Sequence, residues 1–135
     1  MPELSKAKKG RTALVVDDDA ITRVLVRRIM EQMNFAVIEA ADGEQALQEF
    51  TRARPTIVIT DIKMPNMDGL AASAEMRKLS NGKDIPIIVM SGVDDRQLIT
   101  QANDIGVNHF LKKPINLAEF KNAVSAALPS ETPRP

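Results

Sequence analysis

Four aspartates, a serine and a lysine stand where a folded chain could bring them to one reaction. The apolar run Thr12–Asp17 (TALVVD) leads into three consecutive acids, Asp17, Asp18 and Asp19, and the run Thr56–Asp61 (TIVITD) ends in a fourth, Asp61. Ile85–Ser91 (IPIIVMS) ends in Ser91, followed by Gly92, whose missing side chain leaves that position open; Asn108–Lys112 leads into Lys113 and Pro114. Carboxylates crowded at neighbouring strand ends repel one another unless a cation lies between them. An all-oxygen site with room for water suits Mg²⁺, with Mn²⁺ as a substitute. A hydroxyl from Ser91 and an ammonium from Lys113 are the groups that meet an oxyanion, so the set as a whole points to phosphoryl transfer. Taken one at a time, these residues have plainer readings. Asp19 serves as a helix N-cap, Ser91 as a turn residue and Lys113 as a solvated strand-end charge. The convergence of all of them is what those readings do not explain.

The elements that must position these groups alternate. Short β-branched runs read as strands over Thr12–Asp17, Phe35–Ala40, Thr56–Asp61, Ile85–Ser91 and Asn108–Lys112. Helical periodicity falls between them, over Ile21–Met33, Gly43–Ala53, Gly69–Leu79 and Asp94–Ile105, and after Asn116. The first helix is expected to turn Ile21, Val24, Leu25 and Ile29 inward, the second Ala46, Leu47 and Phe50, and the fourth Leu98, Ala102 and Ile105. The last should turn in Leu117, Phe120, Val124 and Leu128 behind an Asn116 cap. Five strand–helix units predict an α/β fold, a doubly wound five-strand parallel sheet of the (βα)5 flavodoxin-like kind with strand order 2-1-3-4-5. Such sheets bind ligands at the carboxyl ends of the strands where the order switches, here the first and third. Asp17–Asp19 and Asp61 stand at those two ends.

Residues 11–128 read as one domain, with a basic tail over 1–10 and a Pro-rich tail over 129–135, both expected to be flexible. Lys and Arg total 18 against 18 Asp and Glu, so no net field draws the chain to nucleic acid or membrane. With no Trp, no Tyr and four Phe, there is little surface for base stacking. No apolar run approaches the roughly 20 residues of a membrane span. The absence of cysteine excludes disulfides and thiolate metal sites and fits a reducing, cytoplasmic location.

The pieces LVVDDD (Leu14–Asp19), DIKMPNMDG (Asp61–Gly69), MSG (Met90–Gly92) and FLKKP (Phe110–Pro114) resemble the receiver (CheY-like) domain of two-component response regulators over roughly Arg11 to Leu128. The resemblance implies that Asp61 is the phosphoacceptor, that Asp18, Asp61 and the backbone carbonyl of Lys63 ligate Mg²⁺, and that Asp17 acts through a water. It implies that Ser91 and Lys113 bind the phosphoryl group and that Phe110 is the switch aromatic. Gly92 and Pro114 would shape the site, the latter through a cis peptide with Lys113. It further implies a sensor histidine kinase or histidine phosphotransfer protein as donor, a downstream protein target on the face of the fourth helix, fifth strand and fifth helix, and possible phosphorylation-dependent homodimers. Phe110 stands where the family frequently has Tyr. Lys63 is a variable position whose cation either tunes the acyl phosphate lifetime or is simply solvated. His109 is expected at an edge or surface, on the side of the sheet away from Phe110.

Two other classes compete. A haloacid-dehalogenase-like phosphatase uses an Asp nucleophile with an acid two positions on, as Asp17 and Asp19 are spaced, but Ala20-Ile21 continues that motif poorly. An interaction-only pseudo-receiver would keep the fold without the chemistry. The chain reads either as a stand-alone regulator, which Met1 and the short tails favour, or as a receiver cut from a larger protein.

Overall fold

The computed structural model describes residues 11–92 and 96–128. Five strands, β1 (Thr12–Val16), β2 (Ala36–Ala40), β3 (Ile57–Asp61), β4 (Ile87–Ser91) and β5 (His109–Lys112), form one parallel sheet in the order β2-β1-β3-β4-β5. The helices are α1 (Ala20–Gln32), α2 (Gly43–Ala53), α3 (Gly69–Lys78), α4 (Arg96–Ile105) and α5 (Leu117–Ala127), with a short 3₁₀ turn at Ser80–Gly82. This is the expected doubly wound architecture. The expected tails, residues 1–10 and 129–135, and the start of the fourth helix at Asp94 and Asp95 lie outside the described residues.

The central strands are buried on both faces, which is why they read as continuous apolar runs rather than alternating ones. On one face Leu14, Val16, Val58, Ile87 and Val89 pack with Ala46 and Phe50 of α2, Leu70, Ala72 and Met76 of α3 and Ala102 of α4. On the other, Ala13, Val15, Ile57, Ile59, Ile88 and Met90 meet Val26, Ile29 and Met30 of α1 and Phe120, Ala123 and Val124 of α5. Truncating a fully buried Ile of this kind to Ala costs about 2–5 kcal/mol. Pro86 sits just before β4. Its carbonyl accepts from Val58 N at 3.0 Å, so the strand starts without needing the missing N–H.

Helix starts are fixed by side-chain caps. Asp19 accepts from Ile21 N, Asp42 from Gln45 N, Asp68 from Ala71 N and Asn116 from Glu119 N, each satisfying an amide that has no partner within its helix. Asp19 also accepts from Thr22 Oγ1 at 2.6 Å, and this bond holds its carboxyl below the ordinary value.

Two inward faces differ from expectation. Ile21 and Leu25 are 81% and 48% exposed, and the core side of α1 is instead Val26, Ile29 and Met30. Ile29 belongs to both stripes, so the periodicity allows either rotation of the helix; packing on Phe35 and the β1 face selects the second. Leu117, the first residue of α5, is 50% exposed, and Ala123 takes an inward place with Phe120 and Val124.

Arg77 at the end of α3 ties two loops together. Its Nη1 donates to Gly82 O at 2.8 Å and Ile85 O at 2.7 Å, and its Nη2 to Gly106 O at 2.7 Å. Burial lowers its pKa, with Asp84 opposing.

Candidate functional site

The carboxyl ends of β1 and β3 lie side by side, with Val16 opposite Thr60 in register. Asp17 therefore emerges next to Asp61. Asp17 is fully buried, Asp61 nearly so and Asp18 exposed, and one carboxylate oxygen from each lies within 4.8 Å of the others. β5 is separated from β3 by β4, yet Lys113, just past its end, reaches across. Its Nζ lies 3.1 Å from Asp17 Oδ2 and 3.2 Å from Asp61 Oδ2. Lys113 N donates to Ser91 O at 2.8 Å, which anchors the backbone from which the side chain reaches. The Lys113–Pro114 peptide is cis.

The remaining oxygens are held by backbone. Asp17 Oδ1 accepts from Asp19 N at 2.9 Å, and Asp61 Oδ1 from Ile62 N at 2.9 Å. Asp18 has no hydrogen bond or ion pair with the described residues. Asp17 and Asp61 thus share the Lys113 ammonium, and Asp18 adds a third carboxylate that it does not pair. Burial, then the charge of Asp17, raises the pKa of Asp61 above the ordinary carboxyl value, and Lys113 only partly offsets this. Burial works against the charge on Lys113, but its hydrogen bond to Asp17 and the charges of Asp17 and Asp61 prevail and raise its pKa. An all-oxygen cluster with a surplus of negative charge and one exposed, unengaged carboxylate fits a small divalent cation.

Ser91 is buried at the end of β4 beside this cluster, and Gly92 after it is exposed. A Cβ added at Gly92 would have nothing within 4 Å. Phe110 is half-buried on the α2, α3 and α4 side of the sheet. His109 lies on the opposite side, in a groove between β5 and α5 with Glu119 and Asn122. The Lys63 side chain is exposed.

The loop from Ile62 to Asp68 carries Lys63 and is pinned at both ends. Gly69 N donates to Ile62 O at 2.7 Å, and a Cβ on Gly69 would stand 1.9 Å from Asp61 O. Across the loop, Gly43 N donates to Met67 O at 3.0 Å and Asn66 Nδ2 to Asp42 Oδ2 at 3.2 Å.

Sequence reasoning missed Arg23 on α1. It donates from Nη1 to Asp17 O at 2.7 Å and from Nε to Glu39 Oε1 at 2.8 Å. Its acceptor at the site is a backbone carbonyl, which leaves no mark in residue spacing.

The geometry disfavours the phosphatase reading. Asp17, which would have to be an accessible nucleophile, is buried against Lys113, and Asp19 is engaged as the α1 cap.

Comparison with known proteins agrees with the fold. The sequence model described as "Response regulator receiver domain" matches residues 13–125, and the chain belongs to that family of two-component signalling proteins. It is 36% identical over 120 residues to the response regulator MprA of Mycolicibacterium vanbaalenii, covering 89% of this chain and 51% of that protein. It is 30% identical over 116 residues to sporulation initiation phosphotransferase F of Bacillus subtilis, covering 86% of this chain and 92% of that protein. A chain in the crystal structure of the CheX–CheY–beryllofluoride–Mg²⁺ complex of Borrelia burgdorferi superposes with a TM-score of 0.81 at 26% identity, covering 92% of this chain and 96% of that one. The chain spans only about half of MprA, so the activity of the rest of that protein does not carry over. Among the described residues no helix is long and apolar enough to cross a membrane.

Proposed function

We propose that this receiver domain accepts a phosphoryl group on Asp61 from a histidine kinase or a histidine phosphotransfer protein and uses it to change the face formed by α4, β5 and α5. The observation that carries the reading is the joint hold of Lys113 on Asp17 and Asp61, beside the exposed, unengaged carboxylate of Asp18.

Asp18, Asp61 and the backbone carbonyl of Lys63 would hold Mg²⁺, with Asp17 acting through a water. The ion, when bound, supplies charge compensation for the crowded carboxylates and for the oxygens of the incoming group. In the transfer step a carboxylate oxygen of Asp61 attacks phosphorus in line with the donor. The new O–P bond forms as the bond to the donor's imidazole nitrogen breaks, and the nitrogen keeps the electron pair. Lys113 stands 3.2 Å from the Asp61 oxygen and would meet a phosphoryl oxygen once the product forms. Ser91 at the end of β4 would donate to another. Phe110 would then follow Ser91 and repack between α4 and β5, a shift of population between two packings. Downstream proteins, or a second copy of the chain, would read that face. Lys63, exposed beside the acceptor, would act on the lifetime of the acyl phosphate, and equal dephosphorylation rates in Lys63→Ala and the parent would remove that role.

Support comes from the relatives as well. The Bacillus subtilis protein carries phosphotransferase in its name, and the Borrelia burgdorferi complex contains Mg²⁺ and beryllofluoride. The test is intact mass after incubation with acetyl phosphate and Mg²⁺. The parent should gain one phosphoryl group and Asp61→Asn none. A parent that gains nothing would instead mark the chain as an interaction-only receiver.

A further inference from the structure

We propose that Arg23 is a positioning residue that presets Asp18 for a divalent cation, an inference that rests on reading Asp17, Asp18 and Asp61 as the cation site. Asp18 is exposed, and its carboxylate has no partner among the described residues. With nothing gripping the carboxylate, the backbone alone sets the Cα–Cβ bond from which it reaches toward the site. Both peptide groups that flank it are held. On one side the Asp17 carbonyl accepts from Arg23 Nη1 at 2.7 Å; on the other the Asp19 amide donates to Asp17 Oδ1 at 2.9 Å. Peptide groups are planar, so fixing these two planes fixes the two backbone angles of Asp18 between them.

Arg23 is itself oriented. Its Nε donates to Glu39 Oε1 at 2.8 Å, and Glu39 Oε2 accepts from Arg27 Nη1 at 2.9 Å. Glu39 lies on β2 opposite Val15 in register, so the clamp joins α1 and β2 to the end of β1. The Arg23 side chain is 20% exposed. A guanidinium serves a carbonyl and a carboxylate at once from one rigid fork, which an ammonium on a flexible stem does not reproduce.

Charge and positioning make opposite demands here. As a cation near the site, Arg23 repels a second cation, so on charge alone its removal strengthens Mg²⁺ binding. As the holder of the Asp17 carbonyl, its removal frees the plane before Asp18 and weakens binding. Glu39, shared with Arg27, offsets part of that charge, whereas the carbonyl that Arg23 holds belongs to the peptide directly before Asp18, and positioning prevails.

The experiment is calorimetric titration of the parent, Arg23→Gln, Arg23→Lys and Arg52→Gln with Mg²⁺, with urea unfolding to check the fold. Arg52 is a control that pairs with Glu49 on α2. Arg23→Gln should lose roughly tenfold in Mg²⁺ affinity, Arg23→Lys should also lose affinity despite keeping its charge, and Arg52→Gln should match the parent. Phosphorylation by acetyl phosphate across a Mg²⁺ series should show Arg23→Gln shifted to higher half-saturation with the parental maximum. Parental or tighter binding by Arg23→Gln, or a lowered maximum at unchanged half-saturation, overturns the inference. Should the Gln variant not fold, parental affinity in Arg23→Lys overturns it instead. A parent that binds no Mg²⁺ removes the proposed function together with this inference; a parent that binds while Arg23→Gln is unaltered removes only the inference.

Discussion

Gly69→Ala puts the joint between acceptor strand and loop under direct strain. A Cβ at that position would lie 1.9 Å from Asp61 O, 2.9 Å from Asp61 C and 2.9 Å from Thr60 Oγ1. Ordinary carbon contacts begin near 3.5 Å, so α3 would have to withdraw from β3 by on the order of 1.5 Å. Two of the three obstacles are backbone atoms and cannot rotate away. The Gly69 N–H bond to Ile62 O, at 2.7 Å, opposes the withdrawal. Overpacking of this kind costs about 1–3 kcal/mol, and weakening that hydrogen bond adds about 1 kcal/mol. Better helix propensity returns at most about 1 kcal/mol. The net expectation is a loss of about 1–3 kcal/mol, read as a lower urea midpoint at unchanged slope. With no Trp or Tyr in the chain, far-UV circular dichroism is the suitable probe. Gly92→Ala is the stability control, because its Cβ meets nothing within 4 Å, and it should stay within about 0.5 kcal/mol of the parent. Because the displaced atoms belong to Asp61, Mg²⁺ affinity should fall in Gly69→Ala as well. A variant with parental stability and parental Mg²⁺ affinity would refute the reasoning.

Other expectations follow from the same contacts. Lys113→Ala removes the ammonium shared by Asp17 and Asp61; it should bind Mg²⁺ more tightly, because a competing cation is gone, while phosphorylation by acetyl phosphate slows. Titration and rate measurements that move together would contradict this. Since burial and then Asp17 raise the Asp61 pKa, ionising Asp61 destabilises the metal-free fold. That penalty is absent below the unfolded carboxyl pKa and grows as pH rises through the folded one. Asp61→Asn should therefore melt above the parent at neutral pH without metal, the gap closing as the solution is acidified and shrinking when Mg²⁺ is added. Arg77→Ala leaves the carbonyls of Gly82, Ile85 and Gly106 without their donor and should cost roughly 2–3 kcal/mol in urea unfolding.

Strand positions and order were legible because each strand is a β-branched run, and because only a parallel sheet buries five such runs with helices between them. Asp17 and Asp61 were legible for a related reason: an apolar strand that runs into an acid places that acid at the rim of the sheet. The orientation of α1 was not legible, since Ile29 lies on both candidate stripes and the sequence alone cannot choose between Leu25 and Val26 as its inward neighbour. Leu117 failed because a hydrophobic residue in a first helical turn can overhang the edge of the sheet. The Arg23 clamp and the Asp42–Asn66 contact were invisible for another reason. Both depend on tertiary approach between elements, and the first ends on a carbonyl that every residue possesses. Glu39, by contrast, reads as an ordinary solvent-side strand residue until α1 is laid across it.

The claim that Asp61 itself takes the phosphoryl group has a direct chemical test. Borohydride reduces an acyl phosphate to the alcohol, converting an aspartyl phosphate to homoserine. After treatment with acetyl phosphate and Mg²⁺, reduction and peptide mapping should show homoserine at position 61 and retain aspartate at 17, 18 and 19. Homoserine at Asp17 or Asp18, or aspartate intact at all four positions, would contradict the account.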